Sequence, residues 1–181
     1  MSWLDAFRGP PVPPAMASAL ARDEAVLAVV PAVTGHVLAA TRLALYVLEG
    51  DDVERVGWHL ISKARLDAGT LSLIVADEIG RWPDGTALLQ DRPVRNLRPV
   101  RRNRLTDVVH QRVRGSVVAS RHISGSRATG WVVLRRIAGE DGLTVQFRLE
   151  RGSPDADGLG PLVTATADQL RASVGRFSID E

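Results

Sequence analysis

The chain contains no cysteine, a single lysine and few aromatic residues. Without cysteine it can form neither a disulfide framework nor a thiolate metal site, and this composition is typical of proteins from a reducing cytoplasm. Lys63 stands beside 22 arginines, so guanidinium groups carry nearly all of the positive charge. No apolar run approaches the roughly 20 residues that a membrane-spanning helix needs. The first residues also lack the apolar core of a secretory signal peptide, so neither a span nor a signal is expected.

The remaining composition is that of a globular protein. Of the 181 residues, 45% are hydrophobic and 24% are charged, which is enough apolar material for one domain with its own core. Only eight residues are aromatic (four Trp, three Phe and one Tyr), and such a low number argues against a surface on which nucleic-acid bases stack.

Positive charge is concentrated in one part of the chain. Residues 92–136 contain twelve arginines and one acid, Asp107, for a formal charge of +11 (12 − 1). The rest of the chain holds 11 basic residues and 20 acids and is therefore at −9 (11 − 20), a division that the net charge of +2 hides. Charge segregated in this way creates a local potential that attracts polyanions.

The arginine-rich block opens with a near-repeat, in which Arg-Pro-Val-Arg at 92–95 returns at 98–101. Proline fixes its own φ and disfavours the α region for the residue before it, so the segment is predicted to be extended, as in polyproline II. With about three residues per turn in that conformation, arginines three apart lie on one face, and Val94, Leu97 and Val100 lie on a second edge. The predicted polyanion-binding residues are Arg92, Arg95, Arg98, Arg101, Arg102 and Arg104.

Several interpretations of these arginines remain open. An acidic protein surface is the partner that we expect, and the phosphates of a nucleic acid are the alternative. Peripheral contact with a membrane is a less favoured possibility. The same residues could instead form a solvated surface loop, or pair internally with the acidic remainder of the chain.

The N-terminal part, residues 1–23, is interpreted as an apolar knob on a proline-rich spacer. Trp3, Leu4 and Phe7 lie one helical turn apart and precede the proline-rich residues 9–14, after which a short helix is predicted at 15–21. The knob could fold onto its own domain, or dock on a partner or a membrane.

Residues 24–181 are interpreted as a single α+β domain. Short strands separated by turn signals are predicted first, at 24–30, 36–40, 43–48, 53–66, 71–75 and 86–90. Residues 53–66 form the longest stretch in which apolar and polar residues alternate. This pattern predicts that Trp58, Leu60, Ala64 and Leu66 share one face, with Ile61 as an exception. The expected core is an antiparallel barrel or a strongly bent sheet, with Trp58, Leu60, Leu73 and Val75 inside.

In the later part of the chain, the apolar residues recur at the spacing of an α-helix. Leu105, Val109, Val113 and Val117 recur at i, i+4, which predicts an amphipathic helix over 103–120, capped by Asn103 or Thr106. A hairpin of 131–137 with 143–150 and a final helix at 161–174 are predicted next. The buried face predicted for that last helix is formed by Leu162, Val163, Leu170 and Val174.

Three segments resemble a known family. Residues 37–45 (Val-Leu-Ala-Ala-Thr-Arg-Leu-Ala-Leu), 57–61 (Gly-Trp-His-Leu-Ile) and 69–73 (Gly-Thr-Leu-Ser-Leu) are similar to strands of bacterial pleckstrin-homology-like (PH-like) domains. The resemblance covers about 24–122 and implies a PH-like barrel capped by an amphipathic helix, with 123–181 as an added hairpin and helix. It implies a binding or scaffold role, since PH-like folds mostly serve as such modules. The chain as a whole resembles proteins of high-GC actinobacteria.

No arrangement of residues in the sequence predicts catalysis or a cofactor. His36, His59, His110 and His122 show no metal-ligand spacing, and Ser120-Arg121-His122 lacks the orienting acid and oxyanion hole of a triad. Asp155-Ala156-Asp157-Gly158 resembles the start of a calcium loop, but Thr166 stands where its glutamate belongs. We therefore expect a cytoplasmic, non-enzymatic interaction module with no catalytic residue, no metal and no cofactor.

Overall fold

The protein is described here by a computed structural model that covers residues 11–99, 104–125, 128–150, 153, 156 and 158–177. The chain divides into two compact units, each built from two separate stretches of sequence. The first comprises Met1–Ile74 and Val94–Arg114, and the second comprises Val75–Pro93 and Gly115–Glu181. The predicted knob at Trp3, Leu4 and Phe7 and the predicted cap at Asn103 lie outside the described residues.

The first unit contains a four-stranded antiparallel sheet in the order β1-β2-β3-β4. Its strands are β1 (Val26–Pro31), β2 (Val37–Thr41), β3 (Ala44–Glu49) and β4 (Asp52–Gly57). A short helix, α1 (Pro14–Ala19), packs on β3 and β4, where its Met16 joins Tyr46 and Leu48 in a buried cluster. Apolar residues on both sides of β2 and β3 are buried, which explains why these strands form near-continuous apolar runs.

The predicted single strand over 53–66 is wrong in its middle. The chain leaves β4 at Gly57, forms a 3-10 turn at Trp58–Leu60 and resumes as β5 (Ile61–Asp67). The turn reverses which residues face inward, so Trp58 and Ile61 are buried while Leu60 is half-buried and Leu66 is exposed. Ile61, which breaks the alternation in the sequence, marks this change of phase.

β5 and β6 (Thr70–Arg81) form a hairpin whose turn is Ala68–Gly69, with φ of 44° and 78°. Two successive residues with positive φ are typical of the type I′ turn, whose twist matches that of the flanking strands. Leu73 on β6 is buried, as predicted, whereas Val75 is half-buried. The first part of β6 belongs to the first unit and its second part to the second unit.

The second unit is built on β7 (Ala87–Asp91), β9 (Val117–Ser124), β10 (Thr129–Arg135) and β11 (Thr144–Leu149). Together with β6 these strands run in the order β6-β7-β11-β10-β9. The predicted hairpin of β10 with β11 is confirmed as antiparallel, and β11 pairs with β7 in parallel. A long helix, α3 (Gly160–Phe177), packs on β9 and β10, and Val163, Ala167 and Leu170 join Phe147 in the core.

Two helix predictions need correction. The helix expected over 103–120 is α2 (Arg104–Ser116), because the chain becomes strand at Val117, which is partly exposed. The buried stripe of Leu105, Val109 and Val113 is as predicted. In α3 the face turned to the core includes Thr166 and Ala167, whereas Leu162 is exposed.

The expected α+β class is confirmed, and one of the two sheets is curled like half of a barrel. Among the described residues, no helix combines the length and the apolar character needed to cross a membrane.

Candidate polyanion interface

Arg92 is fixed by an ion pair within the second unit. Its backbone N–H donates to the carbonyl of Val75 at 2.8 Å, which aligns the residue with β6. Its Nε donates to both carboxylate oxygens of Asp77 at 2.8 and 2.9 Å, and its Nη2 donates to Oδ1 at 2.5 Å. These bonds from Arg92 hold the pKa of Asp77 below its usual value. A fork of this kind is among the stronger forms of ion pair, so Arg92 already has its carboxylate partner.

Arg95 lies in a strand, and the polyproline II prediction is wrong at this point. β8 (Arg95–Leu97) pairs antiparallel with β6, which sets Arg95 opposite Leu73 and Leu97 opposite Leu71. Side chains of a strand alternate between its two faces, so arginines three apart do not share a face here. Leu97 is buried, as expected, and Val94 is exposed.

The guanidinium of Arg95 lies between two glutamates of the first unit. Its Nη1 donates to Oε2 of Glu54 at 2.8 Å, and its Nη2 donates to Oε2 of Glu49 at 3.2 Å. The same Glu49 oxygen is 3.0 Å from Nε2 of His36. Arg95 is therefore also paired within the fold, which agrees with the interpretation that acidic residues from the rest of the chain neutralise part of the arginine block.

Arg98 and Arg104 differ from these two residues. Both side chains are exposed, and within the described part of the chain neither makes a side-chain hydrogen bond or an ion pair. The backbone around them is fixed, since the carbonyl of Arg98 accepts from the N–H of Val33 at 2.8 Å and Arg104 begins α2. Arg101 and Arg102 lie between them in the sequence and outside the described residues.

Arg104 also lies in an electrostatically unfavourable place. The N-terminus of a helix carries a partial positive charge, which favours acids over cations in the first turn. Asp107 supplies such an acid, whereas Arg104 adds a cation at the same end.

A second arrangement of arginines is buried in the second unit, where the sequence did not predict it. Arg135 is 2% exposed and Arg148 is 8% exposed. Arg135 donates from Nη1 to Oγ of Ser116 at 2.6 Å, and Arg148 donates to Asp91 at 3.4 Å and to Gln146 at 3.3 Å. Burial, reinforced by the positive charge of Arg148, lowers the pKa of Arg135 to about 9; burial lowers that of Arg148 to about 10.

The sequence contained a signal for this buried pair. Residues 131–134 form a continuous apolar run, and such runs are typical of strands that are covered on both faces. Apolar and polar residues alternate in β11, a pattern typical of a half-buried strand, yet Gln146 and Arg148 are both buried. Both guanidiniums remain protonated at neutral pH, and their burial makes them structural elements of this unit rather than surface contacts.

A polar cluster in the first unit was also not predicted. Tyr46, the single tyrosine, is 1% exposed and donates its hydroxyl to Oε2 of Glu24 at 2.7 Å. It accepts from Nε of Arg55 at 3.2 Å, and the hydroxyl of Thr41 donates to the other oxygen of Glu24. The cluster fastens the start of β1 to β2, β3 and β4.

The histidines do not converge on a common site. His36 contacts Thr34 and Glu49, whereas His122 is 3.1 Å from Glu150 and lies edge-on to Trp131. In the described ranges no group of three acids and histidines could hold a metal ion. Asp155 and Asp157, which resembled the start of a calcium loop, lie outside those ranges.

Comparison with known protein families, with curated proteins and with solved structures found no match to this chain.

Proposed function

We propose that the protein is a non-enzymatic cytoplasmic binding module that engages an acidic protein surface through the arginines of residues 98–104, of which Arg98 and Arg104 are exposed. The observation that carries the proposal is the contrast within the arginine-rich segment. Arg92 and Arg95 have carboxylate partners in the fold, whereas Arg98 and Arg104 are exposed with no such partner among the described residues.

The paired arginines are poor candidates for binding. A carboxylate arriving at Arg92 would have to displace Asp77, and one arriving at Arg95 would have to displace Glu49 or Glu54. Exchanging one carboxylate for another gains little free energy. Arg98 and Arg104 can form new ion pairs without breaking existing ones, so we expect them, with Arg101 and Arg102, to supply the affinity and the on-rate.

An acidic protein is favoured over a nucleic acid by the placement of the aromatic residues. Single-stranded nucleic acids are held by stacking on aromatic side chains as well as by charge. In the first unit the described aromatic side chains, Tyr46 and Trp58, are buried. The resemblance of residues 24–122 to PH-like domains also favours a binding role, and contact with phosphates remains the alternative outcome.

Two matched double variants test the proposal. The probes are fluorescent poly-glutamate and a single-stranded oligonucleotide of equal charge, both titrated at low ionic strength. We expect Arg98→Gln with Arg104→Gln to weaken the binding of poly-glutamate by about two- to thirty-fold, the range for losing two exposed ion pairs. This variant should keep the melting temperature of the wild type, because the two side chains are exposed and make no hydrogen bond or ion pair among the described residues.

The control is Arg92→Gln with Arg95→Gln, which removes the same charge from neighbouring positions. It should leave affinity for poly-glutamate nearly unchanged and lower the melting temperature, since it breaks the pairs with Asp77, Glu49 and Glu54. Equal losses of affinity in both variants would contradict the proposal, since net charge alone would then explain binding. Tighter binding of the oligonucleotide than of poly-glutamate would favour the nucleic-acid alternative.

A further inference from the structure

β9 is the last strand in the order β6-β7-β11-β10-β9, so one of its sides is an edge of the sheet. The backbone on that side can be identified from the register with β10. Gly125 N–H donates to the carbonyl of Ala128, which makes these two residues a hydrogen-bonded pair. Because such pairs alternate along an antiparallel ladder, Ile123, Arg121 and Ala119 direct their backbone groups towards β10. Ser120, His122 and Ser124 therefore direct theirs outward.

The residues that carry the outward backbone groups are exposed. Ser120, His122 and Ser124 are all exposed, and so is Arg121 between them. β9 pairs regularly with β10 from Ala119 to Ser124, since its register shift lies near Val117. An edge that is exposed, regular and several residues long is a template on which another strand can pair.

Two edge strands with residues in the first unit, β1 and β5, carry features that normally block such pairing. β1 has a register shift between Val26 and Ala28 and ends in Pro31. β5 exposes the charged residues Lys63, Arg65 and Asp67. β9 has neither a proline nor a bulge over 119–124, which distinguishes it from β1, and it exposes one formally charged residue, Arg121, where β5 exposes three.

The charge around β9 indicates which strand would pair there. The chain has no acidic residue from 108 to 139, and the exposed Arg121 on β9 donates to the neutral side-chain oxygen of Gln169 rather than to a carboxylate. His122, by contrast, already has a carboxylate neighbour in Glu150. Two copies of β9 would place their arginines along one shared edge, which is unfavourable, whereas a strand with carboxylates would be attracted to Arg121. Trp131, which is 44% exposed and packs edge-on against His122, extends the surface with an aromatic group of the kind enriched at interfaces.

We propose that β9 accepts an extended, acidic segment of a partner protein as an additional strand of the sheet. Backbone hydrogen bonds to Ser120, His122 and Ser124 supply affinity, and carboxylates beside Arg121 select the sequence. This surface lies in the second unit and does not depend on Arg98 or Arg104. The two proposals can therefore fail independently.

The test uses a ten-residue peptide in which valine alternates with glutamate, and a peptide of valine and lysine as its control. Binding is measured in the Arg98→Gln, Arg104→Gln background, so that the first surface does not contribute. We expect the acidic peptide to bind and the basic peptide not to bind. On binding, the amide protons of Ser120, His122 and Ser124 should exchange more slowly, and those of Arg121 and Ile123 should change little.

Ser120→Pro is the decisive variant, with Ser120→Ala as its control. Proline removes the outward N–H of residue 120 and leaves the ladder with β10 intact, a position that strands tolerate. We expect a loss of at least about ten-fold in affinity for the proline variant, which loses a hydrogen bond and gains a steric block, and no loss for the alanine variant. A second experiment uses the same acidic peptide with methyl groups on alternate backbone nitrogens. This peptide should fail to bind the protein with Ser120 intact, and the result does not depend on whether the proline variant folds.

Equal binding by the proline and alanine variants, or by the methylated and plain peptides, would overturn the proposal. So would failure of the acidic peptide to bind. A concentration-dependent dimer that Ser120→Pro abolishes would also overturn it, because the edge would then serve a second copy of this chain.

Discussion

At the scale of single residues, the cluster around Tyr46 combines burial with a full set of partners. Burial by itself would raise the pKa of Glu24, but hydrogen bonds from Thr41, Tyr46 and the N–H of Ala21, with the nearby charge of Arg55, outweigh it and lower that pKa below 4.5. Burial, with the bond to Glu24, raises the pKa of Tyr46. The carboxylate form of Glu24 is therefore the form that the folded state favours.

Glu24→Gln should lower the free energy of unfolding at neutral pH by about 1–3 kcal/mol, the usual range for a hydrogen bond to a charged group. Because the folded-state pKa is depressed, the contribution is present above the ordinary value of 4.5 and is lost as pH falls through the folded value. Chemical denaturation from pH 7 to pH 3 should show the difference between wild type and variant shrinking below about pH 4.5. Asp23→Asn, which changes an exposed neighbour, is the control. A difference that stays constant over this range would contradict the assignment.

At the scale of elements, the sequence predicted structure where pattern and turn chemistry agree. The hairpin of β10 and β11 is an example, since clean alternation in its second arm meets a Gly-containing turn. The pattern of apolar residues gave wrong boundaries where the backbone conformation changes between neighbouring apolar residues. This happens at the 3-10 turn of Trp58–Leu60 and at the change from α2 to β9. Val117 continues the helical spacing of Val113, so periodicity alone cannot place that boundary.

The candidate site was predictable only in its composition. The sequence identified the arginines but not their partners, because Glu49 and Glu54 meet Arg95 only through long-range pairing of strands. Exposure of Arg98 and Arg104, and the open edge at β9, likewise depend on which strands become neighbours.

Two glycines give a matched test of packing at the element scale. A methyl group on Gly130 would lie 2.4 Å from the carbonyl oxygen of Arg148 and 2.7 Å from the ring of Phe147, whereas one on Gly115 meets nothing within 4 Å. Gly130→Ala should therefore lower the free energy of unfolding by about 1–3 kcal/mol or more through overpacking. Gly115→Ala should raise it by about 0.5–1 kcal/mol by favouring α2. Equilibrium denaturation of both variants measures whether the free energy of unfolding falls for Gly130→Ala and rises for Gly115→Ala. A Gly130→Ala protein as stable as the wild type would contradict the close packing of β10 on β11.

At the scale of the whole molecule, carboxylates of the acidic remainder neutralise only part of the positive charge of the arginine-rich block. The acidic remainder supplies Asp77 to Arg92, Glu49 and Glu54 to Arg95, and Asp91 to Arg148. Arg92 and Arg95, two of the predicted binding residues, are thus paired within the fold. Exposed cations remain at Arg98 and Arg104. A module that uses them should attract its acidic partner over long range, and salt should screen that attraction.

The most direct measurement is the salt dependence of binding to poly-glutamate. It compares the wild type with a variant in which Arg98, Arg101, Arg102 and Arg104 are all glutamine. We predict that the affinity of the wild type falls steeply as salt rises from about 20 to 300 mM, whereas the variant binds more weakly at low salt with a clearly shallower slope. We expect thermal melts of the two proteins to differ little, since Arg98 and Arg104 are exposed and exposed charges contribute little to stability. Parallel slopes with equal affinities would contradict the account, because the arginines at 98–104 would then contribute nothing to binding.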